Sequence, residues 1–272
     1  MHFALRCNFA KPFGVLSSHS PQMNLVIDIG NTMTKAALFE QRRLVSSLFF
    51  PKKELSQLAA LVSHYHIDGC IVSAVSEEGE ALTNLLGSLG TDIVRLSGTT
   101  PIPFCNLYKT PATLGSDRIA AVAGAQALYP EQNVLIVDLG TCITFDMLNS
   151  KGQYVGGNIS LGFGMRFKAL HEHTARLPLV DSVGVRPPLG YDTETAIRSG
   201  VVRGIQHEIE GYIAEIAKHY ETLRVVLTGG RASTIDVADM ESKAQIEICE
   251  HLVEHGLNEI LIYNQRNLTL QI

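Results

Sequence analysis

The sequence predicts an α/β protein with two related lobes, one in each half of the chain, and a cleft between them. One short pattern, an apolar run that ends in Asp-x-Gly and is followed by Thr, occurs at 26–34 and again at 136–144. Three positions coincide when the copies are aligned: Asp28 with Asp138, Gly30 with Gly140, and Thr34 with Thr144. Each copy opens a three-strand meander followed by helices and a further strand, and a repeat this long indicates duplication rather than a solenoid.

The first half alternates apolar runs of strand length with polar turns and segments of helical spacing. We expect strands at 25–29, 34–39 and 43–50, a helix at 54–64, a strand at 69–74, a helix at 77–87 and a strand at 92–96. An alanine-rich helix follows Asp117 and ends at Tyr129-Pro130, because the residue before a proline disfavours helix. This break is the predicted boundary between lobes of residues 23–129 and 130–272.

The second half repeats the order. We expect strands at 133–138, 143–148 and 152–159, helices near 165–174 and 193–220, a strand at 224–228 and helices beyond it. In the long helix, isoleucine and valine recur at helical intervals from Ile197 to Ile216, which gives a continuous apolar stripe. Close packing of this stripe and of the alanine-rich helix fits a dimer interface and a core within one chain equally well.

Residues 1–22 precede the first predicted strand and lack the continuous apolar run and cleavage site of a secretory signal. Because Met23 leads directly into that strand, we interpret residues 1–22 as an N-terminal extension that is disordered or upstream of the native start. An extra strand in the sheet is the alternative.

Composition excludes several classes of function. The chain has 46% hydrophobic and 18% charged residues, which is typical of a globular protein with a sizeable core. A net charge of −5 gives no basic surface for nucleic acid, and no apolar run is long enough to cross a membrane. The five cysteines are scattered and odd in number, which favours reduced thiols and a cytoplasmic location.

The two Asp-x-Gly turns have the composition of a phosphate site. Glycine lets the backbone turn tightly and approach a ligand, threonine adds hydroxyl groups, and aspartate can hold a cation. Two ordinary β-hairpins would also explain a single copy, because Asp and Gly are common turn residues. The repetition favours two lobes that bind one phosphorylated ligand.

A second candidate site lies between the two copies, where Tyr108 to Arg118 leads into the alanine-rich helix. Asp117 falls in the first helical turn, where the helix dipole favours an ionised carboxylate that can accept a proton from a hydroxyl. Arg118 offers a donor fork for a carboxylate or phosphate. A capped helix, with Ser116 or Asp117 satisfying free amides and Arg118 paired on the surface, is the structural alternative.

The first turn resembles the phosphate motif of the actin, sugar-kinase and heat-shock-chaperone superfamily, whose two lobes are duplicated ribonuclease-H-like folds. Leu227-Thr-Gly-Gly-Arg231 is similar to the loop that packs against adenosine in that superfamily. Within it, the chain resembles the type III pantothenate kinases from Met23 to about Gly230. The motifs that carry this resemblance are Asp28-Ile-Gly-Asn-Thr32, Gly115-Ser-Asp-Arg118, Val137-Asp-Leu-Gly-Thr-Cys-Ile-Thr144, Gly156-Gly-Asn-Ile159, Thr174-Ala-Arg-Leu-Pro178 and Asp192-Thr193.

The resemblance implies transfer of a phosphoryl group from ATP to pantothenate, the first step of coenzyme A biosynthesis, with Asp117 as general base. ATP would contact Asp28, Ile29, Gly30, Asn31, Thr32, Met33, Thr34, Lys35 and Thr141. Pantothenate would contact Tyr108, Gly115, Ser116, Asp117, Arg118 and Thr193, the last across a homodimer interface. Asp28 would lie near Mg²⁺, and Asp138 would hold a monovalent cation, K⁺ or NH₄⁺.

Two positions depart from the family pattern. Leu161 stands where the family commonly has proline, and Asp192 stands where it commonly has asparagine before the substrate threonine. Two rival functions remain: a kinase or phosphohydrolase of the same superfamily that acts on a sugar or polyphosphate, and a non-catalytic transcriptional regulator on the same scaffold.

Overall fold

The computed structural model describes residues 23–30, 33–51, 54, 56–74, 80–240 and 244–269, so the predicted extension 1–22 lies outside the described residues. The strands are β1 (Met23–Ile29), β2 (Met33–Glu40), β3 (Arg43–Pro51), β4 (Ile67–Ala74), β5 (Ile93–Arg95), β6 (Cys105–Asn106), β7 (Val134–Leu139), β8 (Cys142–Leu148), β9 (Gln153–Leu161), β10 (Arg224–Thr228) and β11 (Gln245–Ile248). The α-helices are α1 (Ser56–Ser63), α2 (Glu80–Gly87), α3 (Ser116–Leu128), α4 (Phe163–Glu172), α5 (Thr193–Ile216) and α6 (Leu252–Thr269).

The strands form two sheets of the same design. The first sheet has the order β3-β2-β1-β4-β5, with an antiparallel meander on one side and parallel strands on the other. The second sheet has the order β11-β10-β7-β8-β9-β6, and its strands β9-β8-β7-β10-β11 repeat the first arrangement in the same directions. The prediction of two duplicated ribonuclease-H-like lobes is confirmed.

Beyond β10 the sequence predicts helices, whereas the structure also has strand β11, which pairs in parallel with β10. Strand β6 is a further difference: among the described strands it has no counterpart in the first sheet, and the sequence pattern did not predict it. It lies before α3 in the chain, yet it pairs in parallel with β9 at the edge of the second sheet. Backbone hydrogen bonds from Cys105 to Gly152 (2.9 Å) and from Leu107 to Tyr154 (3.0 Å) fix it there. The segment that leads to Asp117 is therefore anchored to the second sheet.

The hydrophobic core has three parts. Helices α1 and α2 cover one face of the first sheet, and α4 and α5 cover one face of the second. The third part lies between the sheets, where α3 and α6 pack on each other and on the inner face of both. Because these helices are shared by the two sheets, the division at residues 129 and 130 stays a prediction.

Two glycines allow α3 and α6 to approach closely. A Cβ built on Gly256 of α6 would lie 1.7 Å from the carbonyl oxygen of Ala120, and one built on Gly124 of α3 would lie 2.2 Å from that of Leu252. Both distances are impossible for a real side chain, so backbone meets backbone at this crossing. The alanine-rich composition of α3 is thus explained by packing within the chain.

The apolar stripe of α5 also packs within the chain, against the second sheet, with Ile197, Val201, Ile205, Ile209 and Ile213 buried. The helix ends at Ile216 rather than at the predicted Tyr220. Beyond Ile216 the α-helical pattern gives way to 3₁₀-type hydrogen bonds, in which the carbonyls of Glu215 and Ile216 accept from the amides three residues further on. Within the described residues, none of the helices combines the length and apolar character needed to cross a bilayer.

Candidate active site

The first Asp-x-Gly turn connects β1 and β2. Their antiparallel register places Asp28 opposite Lys35 and Ile29 opposite Thr34. The amide of Gly30 donates to the carbonyl of Met33 at 3.0 Å, which closes the turn. Asn31 and Thr32, which the sequence assigns to ATP, lie outside the described residues.

The second turn connects β7 and β8, with Asp138 opposite Thr144. A Cβ on Gly162 would lie 2.2 Å from the carbonyl oxygen of Thr141, so the start of α4 packs directly on this turn. A Cβ on Gly229 would lie 2.3 Å from Asp138 Oδ1, and this glycine has a φ of +86°. Gly229, the first glycine of the pair predicted to contact adenosine, therefore packs on the end of β7 beside Asp138, whereas a Cβ on Gly230 would meet nothing within 4 Å.

The carboxyl group of Asp28 is in an unfavourable environment for ionisation. Burial raises its pKa to about 6, the charges of Glu254 and Asp117 add to the rise, and Lys35 and the Ser73 hydroxyl oppose it. A carboxylate that burial and like charges destabilise is typical of a site prepared for a cation or a proton.

Asp138 is perturbed in the same way. Burial raises its pKa to about 7; Lys35 opposes the rise, and Asp117, Asp28 and Asp146 add to it. The carboxyl groups of Asp28, Asp117 and Asp138, which are distant in sequence, thus interact electrostatically in one place between the two turns.

These raised pKa values predict a pH dependence of stability. A folded state that holds protons more tightly than the unfolded chain loses stability as pH rises from the unfolded pKa to the folded pKa. For Asp28 and Asp138 this interval runs from pH 3.8 to about pH 7. We expect the metal-free protein to be less stable at pH 8 than at pH 5. At pH 8 the free energy of unfolding of Asp138→Asn should exceed that of the wild type by on the order of 1–3 kcal/mol, a range that allows for screening of the charge by solvent. Its free energy of unfolding should also vary less with pH. Urea unfolding at the two pH values measures this, and an identical profile for both proteins would contradict it.

Lys35 places a positive charge among these acids. Its side chain is 27% exposed, and its Nζ lies 3.4 Å from Glu254 Oε1 on α6. Burial lowers the pKa of Lys35, but Glu254, Asp138 and Asp28 outweigh burial and raise it. Lys35 therefore stays protonated at neutral pH.

The start of α3 presents Asp117 without a side-chain cap. The N-cap is Gly115, and Asp117 Oδ1 accepts a hydrogen bond from the amide of Arg118 at 2.8 Å. A Cβ on Gly115 would lie 2.4 Å from that oxygen, so glycine is needed beside it. Ser116 pairs with Ser73 of β4 through their hydroxyl groups at 3.0 Å, which ties α3 to the first sheet.

Arg118 is buried, so the alternative of a surface ion pair is wrong. Its side chain is 5% exposed, and Nε donates to Asp146 Oδ1 at 2.9 Å while Nη2 donates to the Tyr154 hydroxyl at 2.8 Å. Tyr154 in turn donates to the same carboxylate oxygen at 2.7 Å. This closed network fixes the guanidinium against strands β8 and β9.

Tyr108 covers this network from the side of β6. Its ring stacks on Tyr154 at 5.9 Å between centroids, and Arg118 Cζ lies 5.5 Å from the centre of the Tyr108 ring. Tyr108 is only half-buried, so part of its side chain is exposed to solvent. The structure thus brings Tyr108, Arg118 and Tyr154 together.

Sequence reasoning missed Asp146 and Tyr154. The signal for Asp146 was present, since it is a charged residue within the apolar run Ile143-Thr-Phe-Asp-Met-Leu148 of β8, and such a residue needs a buried partner. Nothing local pointed to Tyr154. A Cβ on Gly157 would lie 2.7 Å from Arg118 Nη2, so this glycine makes room for the buried pair.

Thr193 begins α5 and is exposed. The departure at Asp192 has a local explanation: it is the N-cap of α5, its Oδ1 accepts from the Thr195 amide at 2.8 Å, and Thr195 completes a capping box. The departure at Leu161 leaves an exposed side chain, and its carbonyl accepts from Arg166 Nε at 2.8 Å, which holds the loop in place.

The oxygen ligands at this site fit hard cations. Asp28 and Asp138 supply carboxylates whose ionisation a bound cation would favour. Among the described residues, no group of three or more His, Cys, Asp or Glu side chains could hold a metal ion by itself. Mg²⁺ in proteins usually takes one or two carboxylates and completes its shell with phosphates and water.

Solved structures support the fold. A Campylobacter jejuni protein described as a Baf family transcriptional activator superposes with a TM-score of 0.57 at 22% identity, covering 89% of this chain and 99% of the other. A Listeria monocytogenes protein described as an N-acetylmannosamine kinase gives a TM-score of 0.54 at 12% identity, covering 90% and 99%. At these identities the likeness concerns the fold alone.

Sequence comparisons are more specific. The family model for type III pantothenate kinase matches residues 24–215. Type III pantothenate kinases of Bacteroides fragilis and Phocaeicola vulgatus are 46% and 44% identical, over 89% and 90% of this chain and 98% and 100% of their own lengths. That of Porphyromonas gingivalis is 38% identical over 89% of this chain and 98% of its own. The chain therefore belongs to the type III pantothenate kinase family.

Proposed function

We propose that this kinase phosphorylates pantothenate with ATP, the first step toward coenzyme A. The observation that carries the proposal is the meeting of Asp28, Asp117 and Asp138 between the two turns, next to Tyr108 and Arg118. Such an arrangement supports a role for Asp117 as proton acceptor between a phosphate site and an acceptor site. Membership of the family supplies the substrate.

The nucleotide end of the site is the first turn, from Asp28 to Lys35, together with Thr141. Phosphoryl transfer proceeds through a loose transition state, so positioning and charge neutralisation supply most of the catalysis. Lys35 contributes one positive charge here. Mg²⁺ held beside Asp28 with the phosphates would supply further neutralisation.

The acceptor end is the start of α3. Asp117 accepts the proton of the pantothenate hydroxyl as that oxygen attacks the γ-phosphorus, and the bond to the β–γ bridging oxygen breaks. Gly115 and Ser116 line the same turn. The Arg118 guanidinium, fixed by Asp146, is a donor for the pantothenate carboxylate.

Asp138 is the proposed ligand of a monovalent cation, K⁺ or NH₄⁺. Its raised pKa supports this role, because an adjacent cation would favour the ionised carboxylate. Cytoplasmic location likewise stays a proposal.

A homodimer with Thr193 at the interface is also part of the proposal. Large apolar side chains are exposed in the segment before α5 and along β9, and exposed apolar surface of this kind is typical of an interaction site. They are Leu179, Val183, Val185, Leu189, Tyr191, Val155, Ile159 and Leu161. The alanine-rich helix and the α5 stripe give no support, since both pack within the chain.

Leu189→Glu tests the dimer, because Leu189 is 87% exposed four residues before Thr193. A charge in an apolar interface should dissociate it, so we expect light scattering to give a monomer and the KM for pantothenate to rise about tenfold. Phe49→Glu, at an exposed residue of the first sheet, is the control that should change neither. A monomeric wild type would refute the dimer directly.

Two rivals are tested by the same assay. A sugar kinase would turn over a sugar, and a regulator of the kind named for the Campylobacter jejuni protein would have no turnover. A coupled assay with pantothenate, ATP, Mg²⁺ and K⁺ should show saturable ADP formation that depends on pantothenate. Glucose, N-acetylmannosamine and polyphosphate serve as competing substrates, and turnover of one of these in place of pantothenate would overturn the proposal.

A further inference from the structure

Glu254, near the start of α6, is a buried acid that the proposed mechanism does not use. Its side chain is 4% exposed, and its Oε1 lies 3.4 Å from Lys35 Nζ. His251 Nδ1, one turn earlier, lies 3.8 Å from the same oxygen, which is beyond hydrogen-bond distance. Among the described residues, neither Glu254 Oε2 nor His251 Nδ1 has a hydrogen-bond partner.

Burial of a carboxylate with one unsatisfied oxygen costs folding free energy. Replacement of a buried ion pair, such as Glu254 with Lys35, by apolar side chains is often neutral or stabilising. Stability alone is therefore a poor explanation for Glu254. Lys35 is the ionic partner of Glu254 at the cleft, and it stands opposite Asp28 in the first turn. That turn is where the phosphates are proposed to bind.

The position of Glu254 is rigid. Gly256, two residues on, lies against Ala120 of α3 with no space for a methyl group. Helix α3 carries Asp117 in its first turn. The same helix pair thus fixes Asp117 and, through Glu254, the ammonium group of Lys35.

We propose that Glu254 is a positioning residue that holds the Lys35 ammonium group at the phosphate turn. In the absence of nucleotide, a lysine next to Asp28 and Asp138 would otherwise turn toward those carboxylates. Glu254 draws the ammonium group toward α6 and leaves the space beside Asp28 open to phosphate. The triphosphate then provides Lys35 with a second anionic partner, so Glu254 acts on ATP and not on the acceptor.

This inference rests on the proposed role of the first turn in ATP binding. The test is Glu254→Gln, which keeps the shape and removes the charge. We expect affinity for a non-hydrolysable ATP analogue, measured by calorimetry, to fall about tenfold, and the KM for ATP to rise equally while the KM for pantothenate changes less than twofold. Glu259→Gln is the matched control: Glu259 lies on the same helix and pairs with Arg42 at 2.7 Å, away from the turn, and both constants should stay unchanged.

The coupling is tested by a double-mutant cycle. If Glu254 acts through Lys35, the double variant Lys35→Met/Glu254→Gln should bind the analogue no more weakly than Lys35→Met alone. Additive losses would overturn the proposal, as would a Glu254→Gln protein with lowered Tm but unchanged analogue affinity. Should Glu254→Gln not fold, a double variant that binds the analogue more weakly than Lys35→Met alone would still overturn the proposal. Since analogue binding needs no acceptor, a failure of pantothenate turnover would be recognised separately.

Discussion

Asp117→Asn is expected to fold normally and to lose nearly all pantothenate phosphorylation. The asparagine side-chain oxygen can still accept from the Arg118 amide, which Asp117 Oδ1 does at 2.8 Å, so the start of α3 keeps its local bond. Loss of the charge at the helix N-terminus costs about 0.3–1 kcal/mol. An amide cannot accept the hydroxyl proton, so kcat should fall roughly 10²- to 10⁴-fold, with affinity for the ATP analogue retained.

The coupled assay and thermal unfolding measure the two halves of this prediction. Asp68→Asn is a matched control, because Asp68 also accepts a backbone amide, that of Met23, at 2.7 Å, and lies at the opposite end of β4 from Ser73. It should leave kcat unchanged. Activity of Asp117→Asn near the wild-type level would remove Asp117 from the role of general base.

Gly256→Ala is expected to have the largest effect on stability. The new Cβ would lie 1.7 Å from the Ala120 carbonyl oxygen and 2.7 Å from the Gly124 amide nitrogen, so α3 and α6 must separate. Overpacking of a core typically costs about 1–3 kcal/mol, and sometimes more. Because backbone rather than a flexible side chain must move here, we expect a loss at or above the upper end of that range.

Separation of the helices should also reduce activity, since they carry Asp117 and Glu254. Gly211→Ala is the control: Gly211 lies inside α5, and a Cβ there meets nothing within 4 Å. Alanine should stabilise that helix by up to about 1 kcal/mol. Urea unfolding compares the three proteins, and a Gly256→Ala variant as stable as Gly211→Ala would show that the crossing tolerates a methyl group.

The repeated pattern was sufficient to predict the architecture because it is local. Apolar runs, glycine turns and helical spacing are properties of neighbouring residues, and each predicted three-strand meander is present, in the first sheet as β1 to β3 and in the second as β7 to β9. The same pattern predicted that Asp28 and Asp138 would belong to equivalent turns. The proximity of Asp117 to them depends on the tertiary structure. It was expected from the family resemblance and could not be derived from the local sequence.

The features that the sequence could not give depend on long-range contacts. The sequence showed that Arg118 could donate two hydrogen bonds, but its partner Asp146 lies on strand β8, 28 residues further along the chain. The choice between a surface ion pair and a buried one therefore needed the fold. Glu254 reads as an ordinary polar residue of an amphipathic helix. Only the packing of α6 on the first sheet reveals that it meets Lys35. The roles assigned to Asn31 and Thr32 stay predictions.

The position of α6 has a consequence for synthesis of the protein. This helix follows every other described element in the chain, yet it covers the inner face of the first sheet, where Asn258 Oδ1 accepts from Asn24 Nδ2 at 2.9 Å. Strands β1 to β5 leave the ribosome long before the helix that completes their core. The nascent first lobe must therefore wait with an apolar face uncovered, a state that invites chaperone binding and aggregation. The contact between Lys35 of the first turn and Glu254 therefore forms only after α6 has been made.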